Sequence, residues 1–156
     1  QCAVYFDIIA DLAKTAGVSD AVVRRNSMCL SADVNAAFDP NFPEVNEKRN
    51  ACFLNHGVCL TKFTGARGKS GSNDASAEYV GYVRNLFDAN GVIWQTAELG
   101  KVDVGGGGTV AKFIAQHNVD TVDIGVPVIS MHAPYEVVAK TDVYMTHKAV
   151  EAFFAD

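Results

Sequence analysis

The chain has 156 residues, 49% of them hydrophobic and 20% charged, with 13 basic and 18 acidic side chains and a formal net charge of −5. That length suits one domain with its own core, and the apolar content is too high for a disordered chain. An acidic balance with no Lys/Arg cluster argues against general nucleic-acid binding, and no apolar run is long enough to span a membrane.

In chain order, Ala3 to Ala16 places Phe6, Ile9, Leu12 and Ala13 on one helical face, with Gly17 as its stop. Met28 to Val34 is a short apolar run ending on a carboxylate, which predicts a buried strand with Asp33 at its tip. Phe38 to Pro43 is a loop, because Pro40 and Pro43 disfavour helix in the residues before them. Gly57 to Phe63 predicts a second strand, and Thr64 to Ser72 a Gly/Ser-rich loop. The strongest helix runs from about Asp74 to Ala89, capped by Ser72 or Asn73, with Tyr79, Tyr82, Val83, Leu86 and Phe87 as its apolar stripe. Val92 to Ala97 follows as a strand, and the glycines Gly105 to Gly108 lead through Thr109 into a helix ending at Gln116. Thr121 to Ile124 and Pro127 to Met131 read as strand, and Thr141 to Phe154 as a closing amphipathic helix. Strands alternating with helices predict an α/β sheet with helices on its faces.

The cysteines Cys2, Cys29, Cys52 and Cys59 form no CxxC pair, and Cys29 and Cys59 lie inside apolar segments. Free thiols of that kind behave as small hydrophobes and predict a reducing, cytoplasmic setting. The sequence opens on Gln1 without a signal-peptide pattern, which reads as a piece of a longer protein.

Few residues carry obvious chemistry. Asp33 sits where α/β sheets place functional groups, at a strand's carboxyl end, although an Asx-turn or helix cap accounts for it equally in local terms. His132 emerges from the apolar run Val126 to Ile129. A neutral imidazole there suits a zinc ion, and a satisfied core histidine is the alternative. The glycine run offers free N–H groups to an anion but lacks the spacing of a nucleotide loop. It fits better as backbone approaching a ligand or another strand closely.

Taken in order, Ser31-Ala32-Asp33-Val34 with Asp39-Pro40-Asn41-Phe42, then Asp103-Val104-Gly105-Gly106-Gly107-Gly108-Thr109, then Asp123-Ile124-Gly125-Val126-Pro127 running into Met131-His132-Ala133-Pro134, form a set. That set resembles the carboxyl-terminal part of the aspartyl aminopeptidase and aminopeptidase I family of dinuclear zinc peptidases, in the wording of its bacterial branch. The resemblance covers Met28 to Phe154. It implies a three-layer αβα sandwich around a mixed central sheet, incomplete in this chain. It also implies a co-catalytic pair of Zn²⁺ ions, a bridging water that attacks the scissile carbonyl of peptide substrates, and a tetrahedral homo-dodecamer.

Carried over by position, Asp33 matches a carboxylate ligand of one zinc and His132 the imidazole ligand of the other. Gly107, Gly108 and Thr109 match the substrate-binding loop. The family's His-x-Asp motif, bridging Asp and Glu-Glu pair have no counterpart, since the chain holds no Glu-Glu dipeptide and no His-x-Asp. The general base is therefore expected upstream, and the chain alone is expected to be inactive. In the aspartyl branch a His stands where this sequence has Asp39. An acid there would repel a substrate carboxylate, which favours neutral or basic amino-terminal residues; the other reading has Asp39 merely shaping the turn with Pro40. The competing functional readings are a non-catalytic subunit that keeps the fold without metals, and a phosphate-binding module on the glycine run. The latter has only Lys101 and Lys112 nearby.

Overall fold

A computed structural model describes residues 3–67, 70–101 and 103–156. Cys2 and the centre of the expected 64–72 loop, Gly68 and Lys69, lie outside them.

The chain begins with α1 (Val4–Thr15) and a short α2 (Asp20–Arg25), then enters β1 (Met28–Ala36). Two 3-10 turns precede β2 (Val58–Thr61), which leads almost directly into β3 (Phe63–Ala66) and β4 (Ser70–Asp74). Next come α3 (Ala77–Ala89), β5 (Trp94–Thr96), β6 (Gly106–Gly107) and α4 (Ala111–Ala115). The chain closes with β7 (Asp120–Ile129), β8 (Val137–Val138) and α5 (Lys140–Ala155).

The mixed α/β architecture expected from the sequence is the one observed. The main sheet has the order β1-β7-β2-β5, with β8 also paired to β7. β7 runs parallel to β1 and antiparallel to β2, and β5 is parallel to β2. A smaller antiparallel sheet has the order β4-β3-β6.

Because side chains alternate across a strand, one face of the main sheet is apolar. Val58 and Leu60 of β2 and Val122 and Ile124 of β7 form a core with Tyr79, Val83 and Phe87 of α3 and Ala149 of α5. The predicted α3 stripe is thus the buried face, with Leu86 also buried and Tyr82 half-buried. A second apolar cluster joins Ala37, Cys52, Cys59 and Ala97. The thiols of Cys29, Cys52 and Cys59 are all free.

Several expectations change. Of the expected loop, Thr64 to Ala66 belong to β3 and Ser70 to Ser72 to β4, because backbone pairing outweighs the weak strand preference of Gly and Ser. Consequently α3 starts later, at Ala77, capped by Ser76, whose hydroxyl accepts from Tyr79 N at 3.2 Å. Asn73 belongs to β4 and donates from Nδ2 to Thr121 O. The two apolar runs near residues 121–131 are one strand, β7, carried straight through Gly125-Val126-Pro127. On α1 only Ala13 is buried, and Leu12 is 61% exposed, since the helix packs at the periphery, where Phe6 stacks on His117.

Candidate active site

The opposite face of the main sheet carries a different set of side chains. Ser31, Asp33 and Asn35 alternate along β1, Asp123 and Gly125 along β7, and Cys59 and Thr61 along β2. Ser31 pairs in register with Asp123, Asp33 with Gly125, Thr61 with Asp123 and Cys59 with Gly125. These residues share one face because pairing partners in a ladder point the same way.

Gly125 opens this face. A Cβ built there would lie 2.9 Å from Val34 C and 3.0 Å from Asn35 N, so only glycine lets β1 pass so close. Across the gap, Asn35 donates from Nδ2 to Thr61 Oγ1 at 2.5 Å and to Cys59 Sγ at 3.1 Å.

The small sheet closes the site from above. β2 bends at Lys62 into β3, which carries Thr64 to Asp123, and the glycine run brings Thr109 to the same carboxylate. Gly106 pairs with Ala66 and Gly107 with Gly65. A Cβ on Gly106, whose φ is 98°, would stand 2.1 Å from Gly65 O. The glycine run is therefore what the sequence suggested, backbone laid closely on another strand.

The result is a narrow crevice lined by Asp33, Asn35, Thr61, Thr64, Thr109 and Asp123. Asp123 is 6% exposed and accepts at Oδ2 from Thr109 Oγ1 at 2.9 Å and Thr64 Oγ1 at 3.3 Å. Burial pushes its carboxyl above the ordinary range. The Ser31, Thr109 and Thr64 hydroxyls oppose that shift, and the nearby charge of Asp33 adds to it. Among the described residues, Asn35 Oδ1 is buried without a hydrogen-bond partner, while Ser31 Oγ and Asp123 Oδ1, at paired positions, have no partner beyond each other. Unspent polar capacity of this kind is unusual on a sheet face that does nothing but pack.

The structure distributes the residues singled out in the sequence unevenly. Asp33 lies within β1 rather than at its tip, is exposed, and accepts at Oδ1 from its own neighbour Val34 N. It and Thr109 share the crevice. His132 is exposed in the turn after β7, in a left-handed conformation with φ 66°; its N–H donates to Glu136 Oε1 at 2.5 Å. Asp39 lies apart from the crevice lining, and its Oδ1 accepts from Asn41 N at 2.8 Å, as an Asx-turn does. Gly107 packs with its would-be Cβ 3.4 Å from Leu99 Cδ1, and Gly108 sits against Gly71 O and the Lys112 ammonium. The sequence reading missed the role of Asp123. The signal was available: a carboxylate flanked by Val122 and Ile124 in a strand faces away from the core.

Asp33 and His132 suit zinc in donor type and access. Asp33 has no cationic partner, and the His132 imidazole makes no hydrogen bond, among the described residues. They are too few to hold it, because no group of three or more His, Cys, Asp or Glu able to bind a metal occurs among the described residues.

Residues 3–154 match the family model described as aminopeptidase I zinc metalloprotease (M18). A Clostridium acetobutylicum protein named probable M18 family aminopeptidase 1 is 46% identical over 157 residues, covering 98% of this chain and 34% of the relative. The crystal structure of aminopeptidase I from that organism matches with a TM-score of 0.89 and 45% identity, covering 98% of this chain and 33% of that one. The S. cerevisiae mApe1 dodecamer structure matches with a TM-score of 0.69 and 28% identity over 86% of this chain and 28% of that one. The chain therefore spans about a third of the length of the relatives it matches.

Proposed function

The chain belongs to the M18 aminopeptidase I family of zinc metalloproteases, and from that premise we propose that it is the carboxyl-terminal portion of a single catalytic domain that removes amino-terminal residues from peptides. The observation that carries this reading is the crevice, where Asp33, free of any cationic partner among the described residues, stands beside Thr109 on the polar face of the sheet.

In this reading Asp33 and His132 each hold one member of a zinc pair, and the remaining ligands and the general-base Glu come from sequence outside this chain. Zinc, when bound, supplies Lewis acidity and lowers the pKa of water. The chain's own residues do the rest. The left-handed turn at His132, fixed by Glu136, aims the imidazole. Gly107 and Gly108 let the loop pack closely on Leu99, Gly71 and Lys112, and Thr109 at its end offers a peptide a polar contact. Asp39, outside the crevice lining, acts in this reading only through its charge, which disfavours an acidic amino-terminal side chain and leaves neutral or basic residues preferred.

The whole protein is read as a homo-oligomer, a tetrahedral dodecamer, in a cytoplasmic setting that suits the free thiols. No helix among the described residues is long and apolar enough to cross a membrane. The test is a panel of amino-acid anilides assayed with the full-length protein, with zinc and after chelation, alongside light scattering. Turnover lost on chelation and regained with zinc supports the reading. Turnover indifferent to chelation, or none on any amino-terminal residue, refutes it.

A further inference from the structure

Asp123 is a buried carboxylate to which the mechanism above gives no part. It is held between two hydroxyls from separate elements, Thr64 on β3 and Thr109 after β6, with the two hydroxyl oxygens 3.3 Å apart. An ionised carboxylate only accepts hydrogen bonds, and a threonine hydroxyl has one proton to give. The shortest of these contacts, 2.9 Å, takes the Thr109 proton to Asp123 Oδ2. The Thr64 proton goes to Asp123 or to Thr109, both at 3.3 Å. In either arrangement Thr109 Oγ1 keeps a lone pair and has no proton left.

We propose that Asp123 is a positioning residue that commits the Thr109 proton inward, so that Thr109 meets the bound peptide as a hydrogen-bond acceptor for an amide N–H. With Asp123 ionised, the 2.9 Å contact disfavours the opposite polarity: a peptide carbonyl needs a donor, and giving it the Thr109 proton would take that proton from the buried carboxylate. A neutral oxygen also suits a neutral amide better than the peptide's ammonium group, which pairs more strongly with carboxylates. Thr109 is half-buried and lines the narrow crevice together with Asp33.

This inference rests on the reading of the crevice as a peptide site, and its test separates the two. In the full-length zinc-loaded protein, kcat and KM are measured for Thr109→Val, Thr109→Ser, Asp123→Asn and the double variant Thr109→Val/Asp123→Asn, with zinc content and Tm alongside. Thr109→Val and Asp123→Asn should each lower kcat/KM about tenfold, mostly through KM, the scale of one lost hydrogen bond. Thr109→Ser should recover most of that loss. The double variant should lose about tenfold, not about a hundredfold, because both changes break one interaction.

A second comparison uses peptides lacking one N–H at a time, by an ester at the scissile bond or N-methylation at the next amide. The Thr109→Val penalty should vanish on one of these two analogues. Multiplicative losses in the double variant, a Thr109→Ser variant as impaired as Thr109→Val, or an equal penalty on every analogue would overturn the proposal. Should Asp123→Asn fail to fold, the two Thr109 variants and the analogues decide the matter without it. A wild-type protein with no zinc-dependent turnover defeats the reading of function instead.

Discussion

The two faces of the main sheet are built from alternate residues of the same strands, yet they do opposite things. On one face, Val58, Leu60, Val122 and Ile124 pack against α3 and α5, and these four side chains are spent on burial. On the other, Asn35 and Asp123 are also buried but polar, Asn35 retains an oxygen without a partner, and Asp33 beside them stays exposed. A period of two residues lets a strand such as β7 support the fold and the chemistry at once. It also makes the two separable by mutation.

The largest expected effect breaks the polar face alone. In the full-length protein, Asp33→Asn or His132→Ala should lower kcat/KM by about two or more orders of magnitude, with zinc content falling in parallel. Stability of the metal-free protein should change by about 0.5 kcal/mol or less, since both side chains are exposed. Unchanged activity and zinc content in either variant would remove that residue from the site.

The apolar face should show the reverse. Phe87→Ala deletes a fully buried ring from the α3 stripe and should cost about 3–5 kcal/mol in denaturant unfolding. Turnover per folded molecule should stay at the wild-type level. A large drop in that turnover would show that the faces are not independent.

Gly125→Ala sharpens the comparison because it acts on both. Its new methyl would press on β1 at Val34 and Asn35, costing about 1–3 kcal/mol. It should also weaken zinc binding, since Asp33 is the residue in register with Gly125. Destabilisation with zinc affinity intact would separate Asp33 from the metal.

The smallest effect is a control away from both faces. On α2, Arg24 donates to Asp20 and holds that exposed carboxyl below its ordinary pKa. A depressed native pKa gives stability that is present above the unfolded carboxylate value of about 4 and lost as pH falls through the native one. Asp20→Asn should therefore flatten the acid limb of the stability curve below about pH 4 and leave activity at neutral pH untouched. An acid limb identical to wild type would show that the pair contributes nothing.

How much of this was legible in the sequence depended on how local the cause was. The α3 stripe could be read because helical spacing puts Tyr79, Val83, Leu86 and Phe87 on one side whatever they pack against. The close approach at the glycine run could also be read, because a side chain at Gly106 would collide with Gly65 O in any such arrangement. The pairing of β3 with β4 could not, because Gly and Ser dominate its sequence and favour strand only weakly until neighbouring strands satisfy the backbone.

By itself the sequence determined the alternating strands, the helix stripe and the ordered set of motifs that carry Asp33, Thr109 and His132. Those follow from periodicity and side-chain chemistry, which act over a few residues. Only the tertiary structure decided that Thr64, Thr109 and Asp123, spread over 59 residues from first to last, share one hydrogen-bonded cluster. It alone left Asp39 outside that crevice, closing its own turn. The physical reason is that register between distant strands is set by which faces can be buried together, a property of the assembled sheet that no single segment contains.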